Sequence, residues 1–453
     1  METKPNAVKS TESMPTPTRR AVLQALLWVF RDGMHSQTAL ARALTQKRVT
    51  DVRDRSLATH IFFGVLRWQR RLDSELLPFV RRDLAQTDSV VLVALRMAIY
   101  QLRFLDRVPP HAAVSDAVSL VREVRGGKSA GFCNAVLRKV VAAPAEDKPP
   151  LMDITTLARW YSHPDWLVER WSKQTRDLHG LERLCAAYSE PAPSVVRLKE
   201  GYGIAERVLG WISKRPEAQS TCGTMPNALI LEGIDPLRGT PFEQGWWVPQ
   251  DEAAQWVTTL LGPCPGATIL DVCCGTGTKT THLAEMAGSS GKVVALDIHP
   301  AKLEELERLI QKWRPPASVQ TIVADATQPF PRACLGFDRI LVDAPCTGLG
   351  TIRRRPEIKW RQEPHRPAEM ATLQSAILHN AAMALNVGGV LVYCVCTPME
   401  EEGPGVIRRF LENHGSTFSQ IPVHGSEKDG FLLTSPLVGG MDAFFAAILT
   451  RNN

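Results

Sequence analysis

At 453 residues, with 44% hydrophobic and 22% charged side chains, the chain is too long for one ordinary core and too evenly mixed for a disordered or fibrous protein. No apolar run is long enough to cross a bilayer. The net charge of +6 hides an asymmetry: residues 1–150 carry 24 Lys and Arg against 14 Asp and Glu, a surplus of +10, and the remainder stands at −4. Ten cysteines without Cys-x-x-Cys spacing argue against a zinc site, and without a secretory leader they argue against a disulfide framework. The expectation is two or three domains in a cytoplasmic protein with reduced thiols, monomeric, with no membrane and no metal.

Residues 1–18 are polar, rich in Pro, Ser and Thr, and read as a disordered lead-in. Helical periodicity follows. Val22, Ala25, Leu26 and Val29 form one apolar stripe, and residues 90–105 form a longer, more buried one. Pro109-Pro110 marks a stop and restart, and Gly126-Gly127 divides two further helices. An all-α domain over 19–145 is expected, closing in the linker-like stretch 142–150. Its basic surplus suits a phosphate backbone, although solvated helix faces would give the same count.

A second region, 151–248, opens helically with Trp160, Trp166, Leu167 and Trp171. Strand-like runs at 195–198 and 228–231 then flank an amphipathic stretch at 204–212, which predicts a small α+β unit. From 249 to 453, strand-like runs at 268–271, 293–296, 319–323, 339–342 and 390–393 alternate with helical ones. Such alternation predicts an α/β domain, a parallel sheet with helices on both faces.

The sharpest local signal is Asp271-Val-Cys-Cys-Gly275-Thr-Gly277-Thr-Lys279, which follows the first strand of this domain directly. Gly275 and Gly277 let backbone N–H groups approach a ligand at a strand-to-helix turn. Asp297 ends the next strand, where a carboxylate can accept both hydroxyls of a ribose. Asp325 ends the one after, toward the adenine end of the same ligand. Thr280 stands where a nicotinamide-binding turn has its third glycine, which disfavours hydride transfer. Acids at three successive strand ends suit S-adenosylmethionine, whose sulfonium and ammonium want carboxylates and not a phosphate cradle. Taken singly, Asp297 or Asp325 would serve as a helix cap.

Two more strand ends carry cysteines, in Asp343-Ala-Pro-Cys346 and Tyr393-Cys394-Val-Cys396. The carboxyl ends of such a sheet line one crevice, so Cys346 and Cys396 are expected to face the methyl donor. A lone cysteine is most often a small buried residue. A pair at an active edge suits covalent activation: a thiolate adding to carbon 6 of cytosine makes carbon 5 enamine-like and able to take a methyl group. Asp343 is placed to hydrogen-bond the ring N3 or the exocyclic amine as charge develops, or else to rest as a satisfied carboxylate near Lys279.

These segments resemble the Nol1/Nop2/Sun family of RNA cytosine-5 methyltransferases, in its bacterial ribosomal RNA branch. The resemblance runs from Arg20 to Leu449. It takes in Pro249-Gln-Asp-Glu-Ala-Ala-Gln255, the cofactor turn, Asp343-Ala-Pro-Cys346, Ile352-Arg-Arg-Arg-Pro-Glu-Ile-Lys-Trp360 and Cys396 after Tyr393. Pro109-Pro-His-Ala-Ala-Val114 and Ala130-Gly-Phe-Cys-Asn-Ala-Val-Leu-Arg-Lys139 resemble the NusB antitermination fold, an RNA-binding helical bundle. Tyr161-Ser-His-Pro-Asp-Trp-Leu-Val168 opens a middle that is similar to an RNA-recognition module.

The resemblance implies a NusB-like domain (19–145), an RNA-recognition-like region (151–248) and a class I, Rossmann-like methyltransferase domain (249–453). It implies S-adenosylmethionine held by Cys273, Cys274, Gly275, Thr276, Gly277, Thr278 and Lys279 together with Asp297, Asp325 and Asp343. It also implies RNA of the small ribosomal subunit as substrate, attack by Cys396, and release of the product assisted by Cys346. The family's turn reads Cys-Ala-Ala-Pro-Gly-Gly-Lys-Thr, whereas here Thr276 stands for Pro and Thr278 for the second Gly. A positive φ at Thr278 would carry strain. The rival readings are a DNA methyltransferase attacking through Cys346, an RNA-binding assembly factor without turnover, and transfer RNA as substrate.

Overall fold

The computed structural model describes residues 14–81, 83–149, 153–262, 264–424 and 429–452. Of the lead-in expected over residues 1–18, residues 1–13 lie outside them. Helix begins at Pro17, ahead of the expected end of that lead-in, because Thr16 caps it through the Arg19 N–H and Pro17 presets φ at the first position. The chain divides into two compact units. One holds residues up to Ser189 together with Arg355–Arg361, and the other holds Glu190–Arg354 with residues from Gln362 on.

The first unit is helical. Its bundle comprises α1 (Pro17–Arg31), α2 (Ser36–Gln46), α3 (Val52–Arg67), α4 (Gln69–Leu76), α5 (Ser89–Phe104), α6 (Pro110–Arg125) and α7 (Gly127–Ala142). The stripe Val22, Ala25, Leu26 and Val29 is buried along α1. α5 is buried nearly all round, from Val90 to Ile99, as its unbroken apolar run requires. Further helices α8 (Ile154–Trp160), α9 (Asp165–Ser172) and α10 (Leu178–Ser189) belong to the same unit. Arg70 of α4 ties them in, donating to the His163 carbonyl at 2.7 Å and pairing with Asp165 at 2.9 Å. The separate piece Arg355–Arg361 is bound as closely: buried Lys359 donates to the Arg67 carbonyl at 2.9 Å, and Glu357 accepts the Ser36 N–H at 3.0 Å.

In the second unit, β1 (Ser194–Leu198), β2 (Gln219–Cys222), β3 (Ala228–Glu232) and β4 (Trp247–Pro249) form an antiparallel sheet in the order β2-β3-β1-β4. The helix Ile204–Ile212 packs Val208 and Ile212 into its core. The larger sheet holds β5 (Thr268–Val272), β6 (Lys292–Asp297), β7 (Ser318–Val323), β8 (Phe337–Asp343), β9 (Leu385–Val395), β10 (Phe418–Ile421), β11 (Leu432–Leu433) and β12 (Phe445–Arg451). Its order is β10-β12-β9-β8-β5-β6-β7, with β11 on β12. Strands β5 to β9 run parallel, and β12 enters antiparallel between β9 and β10.

Ile269, Leu270, Val293, Val294, Ile340 and Leu341 are buried on both faces of the sheet, the pattern of a parallel sheet covered on two sides. After β7 the chain crosses to the other side of β5. Ligands of such sheets bind outside the carboxyl ends at that switch point.

Candidate active site

Each candidate side chain reaches the carboxyl edge of the large sheet by a local rule. The turn after β5 goes left-handed at Cys273 (φ 61°), Gly275 (φ 58°) and Gly277 (φ 87°). At Gly277 only glycine fits, since a Cβ would lie 2.0 Å from the Leu306 side chain. Above Gly275 a Cβ would meet nothing within 4 Å, so the backbone there is open to a ligand. Thr278 does not carry the strain considered for it: it is the first residue of the helix Thr278–Ala287, and the unfavourable φ falls on Cys273. A helical first position asks for an ordinary negative φ, which threonine adopts freely.

The acids follow. Asp271 is buried; its Oδ2 accepts the Thr280 hydroxyl at 2.6 Å, while its Oδ1 has no hydrogen-bond partner. Burial pushes its pKa up to about 7, against the hydrogen bond from Thr280. Asp297 accepts the Gly275 N–H at 3.0 Å through Oδ2 and the His299 N–H at 2.9 Å through Oδ1, so it ties the glycine turn to the end of β6. The cap of the following helix is His299, not Asp297. A carboxylate has about four acceptor positions, so Asp297 keeps acceptor capacity beyond these two bonds, with the Lys302 ammonium 3.7 Å from its Oδ2. Asp325 accepts both the N–H and the hydroxyl of Thr327, at 2.9 and 2.7 Å, and these bonds hold its pKa below the ordinary value.

S-adenosylmethionine suits this donor set. A buried carboxylate oxygen without a partner, an open glycine and two strand-end acids offer what an ammonium, a sulfonium and a ribose need.

The thiols form the second half of the site. Cys346 lies on the loop leaving β8 and Cys396 directly after β9, and the two sulfurs are 3.2 Å apart. Beside them Lys279 pairs with Asp343 at 2.7 Å, and the Cys394 thiol donates to the other oxygen of Asp343 at 3.5 Å. Burial works against the Lys279 ammonium, but Asp343 and the neighbouring thiols outweigh it and hold its pKa above the lysine value. The hydrogen bond with Cys396, then burial, pushes the Cys346 thiol well above its ordinary pKa. Lys279, Asp343, Cys394, Cys346 and Cys396 thus gather at neighbouring strand ends. Asp325 stands apart, bonded to its own turn.

Several residues of this region escape a reading of the string. Gly350 donates to the Cys396 carbonyl at 3.0 Å, and a Cβ there would lie 1.9 Å from the Ala443 carbonyl oxygen. Glu402 is buried among Thr347, Gln374 and Thr397, although it is the last of three successive glutamates. Threonine after each cysteine was the available signal.

Residues 258–450 match the family model described as 16S rRNA methyltransferase RsmB/F, and residues 16–142 match the NusB family. The ribosomal RNA small subunit methyltransferase B of Thermus thermophilus is 34% identical, covering 97% of this chain and 99% of its own length. The probable ribosomal RNA small subunit methyltransferase B of Synechocystis sp. is 33% identical, over 93% of this chain and 96% of the relative. Among solved structures, that of PH0851 aligns with a TM-score of 0.82 at 25% identity, covering 97% of this chain and 99% of the other. Among the described residues no helix is long and apolar enough to cross a membrane.

Proposed function

We propose that this chain, which belongs to the 16S rRNA methyltransferase RsmB/F family of S-adenosylmethionine-dependent enzymes, methylates carbon 5 of a cytosine in small-subunit ribosomal RNA through a covalent adduct at Cys396. The observation that carries this reading is the 3.2 Å contact between Cys346 and Cys396 beside the Lys279–Asp343 pair.

Carbon 5 of cytosine is too weak a nucleophile to take a methyl group unaided. Addition of the Cys396 thiolate at carbon 6 forms a C–S bond and sends the ring electrons to carbon 5. Bound S-adenosylmethionine supplies the methyl group on an electrophilic sulfonium. Asp343, oriented by Lys279, keeps acceptor capacity for the exocyclic amine or a protonated N3. Contact with Cys396, then burial, disfavours the Cys346 thiolate. When the carbon-5 proton is lost, the returning electrons break the bond to Cys396. Cys346, already touching that sulfur, is placed to give the departing thiolate a proton and to take up the one from carbon 5, so the protons balance.

On this reading the turn from Cys273 to Lys279, with Asp271, Asp297 and Asp325, holds the cofactor. The basic front of the chain and its NusB domain grip the RNA backbone.

The deciding measurement is a map of 5-methylcytosine in ribosomal and transfer RNA from cells with and without this protein. Loss of one site in small-subunit RNA is expected. An unchanged small-subunit map would remove the proposal, and a site lost from transfer RNA would redirect it. Binding of labelled S-adenosylmethionine separates a turnover-dead assembly factor, which would not retain it.

A further inference from the structure

Behind the two thiols lies a carboxylate that the proposed chemistry leaves unused. Glu402 is 0% exposed. Its Oε2 accepts the Thr347 N–H at 2.8 Å and the Gln374 side-chain amide at 3.1 Å. Its Oε1 accepts the Thr347 hydroxyl at 2.5 Å and the Thr397 hydroxyl at 3.3 Å. Thr347 follows Cys346, Thr397 follows Cys396, and the two hydroxyls are 3.2 Å apart. Two more bonds brace the knot: Gln374 also donates to the Pro345 carbonyl at 2.9 Å, and Tyr393 donates its hydroxyl to the Glu402 carbonyl at 2.7 Å.

Among the described residues no lysine or arginine forms an ion pair with this carboxylate, and burial pushes its pKa up. A buried charge without a countercharge is costly unless hydrogen bonds replace its water, and here the donors come from both cysteine loops. An apolar side chain would fill the same space at lower cost. What an apolar side chain cannot do is hydrogen-bond to the two loops at once.

We propose that Glu402 is the positioning residue of the thiol pair: by knotting together the residues that follow Cys346 and Cys396, it holds the two sulfurs in contact. The catalytic consequence rests on the function proposed above, because one thiol acts on the adduct formed by the other. The geometry itself can be tested without that function.

The experiment compares wild type, Glu402→Ala and Glu402→Gln as full-length proteins. Diamide is the probe: its N=N group takes two electrons and two protons from the thiols and becomes a hydrazine as the Cys346–Cys396 bond forms, and mass spectrometry follows that bond. Glu402→Ala is expected to crosslink about tenfold or more slowly, since loosening of this order has that effect on proximity-driven steps. Its affinity for S-adenosylhomocysteine should stay within about twofold, as for sites without shared partners. Glu402→Gln, which can accept from Thr347 and Gln374 and donate to the two hydroxyls, is expected to recover most of the rate.

Crosslinking of Glu402→Ala at the wild-type rate would overturn the proposal, and so would a Gln variant as slow as the Ala variant. Should Glu402→Ala also lose the cofactor, Thr397→Val decides, because it withdraws one donor and keeps the carboxylate. Slower crosslinking at intact affinity upholds positioning, and an unchanged rate ends it. A wild type that crosslinks faster than Glu402→Ala but forms no adduct with 5-fluorocytosine RNA would sink the chemistry and leave the positioning role standing.

Discussion

The sulfurs of Cys346 and Cys396 lie 3.2 Å apart on loops that leave the neighbouring parallel strands β8 and β9. One ligand atom can therefore meet both, and the two thiols should differ in what their removal does. Cys396→Ala is expected to abolish methylation and any denaturation-resistant complex with 5-fluorocytosine RNA. Cys346→Ala should accumulate a cofactor-dependent covalent complex, because attack survives and release does not. A denaturing gel of the three proteins reads this directly. Adducts lost in Cys346→Ala and kept in Cys396→Ala would reverse the assignment, the arrangement of a DNA-type enzyme.

Asp297 keeps acceptor capacity after Gly275 and His299 are served, with Lys302 3.7 Å from its Oδ2. Asp297→Ala should weaken S-adenosylhomocysteine binding by about 1.5–3 kcal/mol for each lost bond to a charged group, and RNA binding far less. Titration calorimetry gives the first value and a salt-dependent RNA binding curve the second. An unchanged cofactor affinity would reduce Asp297 to a tie between the turn and β6.

Asp271 makes stability depend on pH in an unusual direction. Unfolded, its carboxyl ionises near 3.8; folded, near about 7. Between those values the native protein keeps a proton that the unfolded chain has released, so this contribution to stability falls as pH rises and the full penalty stands above pH 7. Asp271→Asn carries no such proton and should flatten the profile, closing a gap on the order of 4 kcal/mol by pH 7. Chemical denaturation of both proteins from about pH 4 to 8 tests it. If the cationic cofactor lies against Asp271, binding near about pH 6.5 should also release a proton, visible in buffers of different ionisation enthalpy. Identical slopes in the two proteins would refute the linkage.

The two glycines of the turn should respond differently to alanine. Gly277→Ala meets both a left-handed φ and the Leu306 side chain, and should destabilise the fold by about 2–4 kcal/mol. Gly275→Ala meets only the φ cost of about 1 kcal/mol, because space is open above it, and its larger effect should be on cofactor affinity. Thermal melts with and without S-adenosylhomocysteine separate the cases. A Gly275→Ala protein that binds the cofactor as wild type does would place the ligand elsewhere.

Much of this architecture is legible from the string because its causes are local. Parallel strands buried on both faces are plain apolar runs, so β5, β6, β8 and β9 stand out, while the edge strand β7, β1, β3 and the helix Ile204–Ile212 follow from short-range periodicity. The turn from Asp271 to Lys279 announces itself by glycines, and Asp343, Cys346 and Cys396 by their places at strand ends. β2 and β4 are too short to show alternation. Whether Thr278 would carry strain is open in the string, because a helix start and a left-handed turn residue look alike until the backbone is built.

Other features depend on residues distant in sequence. The antiparallel entry of β12 between β9 and β10 is set by pairing across the fold, and no local pattern encodes which edge a strand will join. Arg355–Arg361 follows the Cys346 loop in the chain, yet its Lys359 and Glu357 bond to residues of α2 and α3 in the first unit. Among Glu400, Glu401 and Glu402 the letters are identical and only packing makes the last one buried. The residue types and their strand-end placement were already in the sequence, because they answer to short-range geometry. The contact between the two thiols, and the carboxylate that gathers their loops, came only with the fold, because burial and distance are properties of packed neighbours.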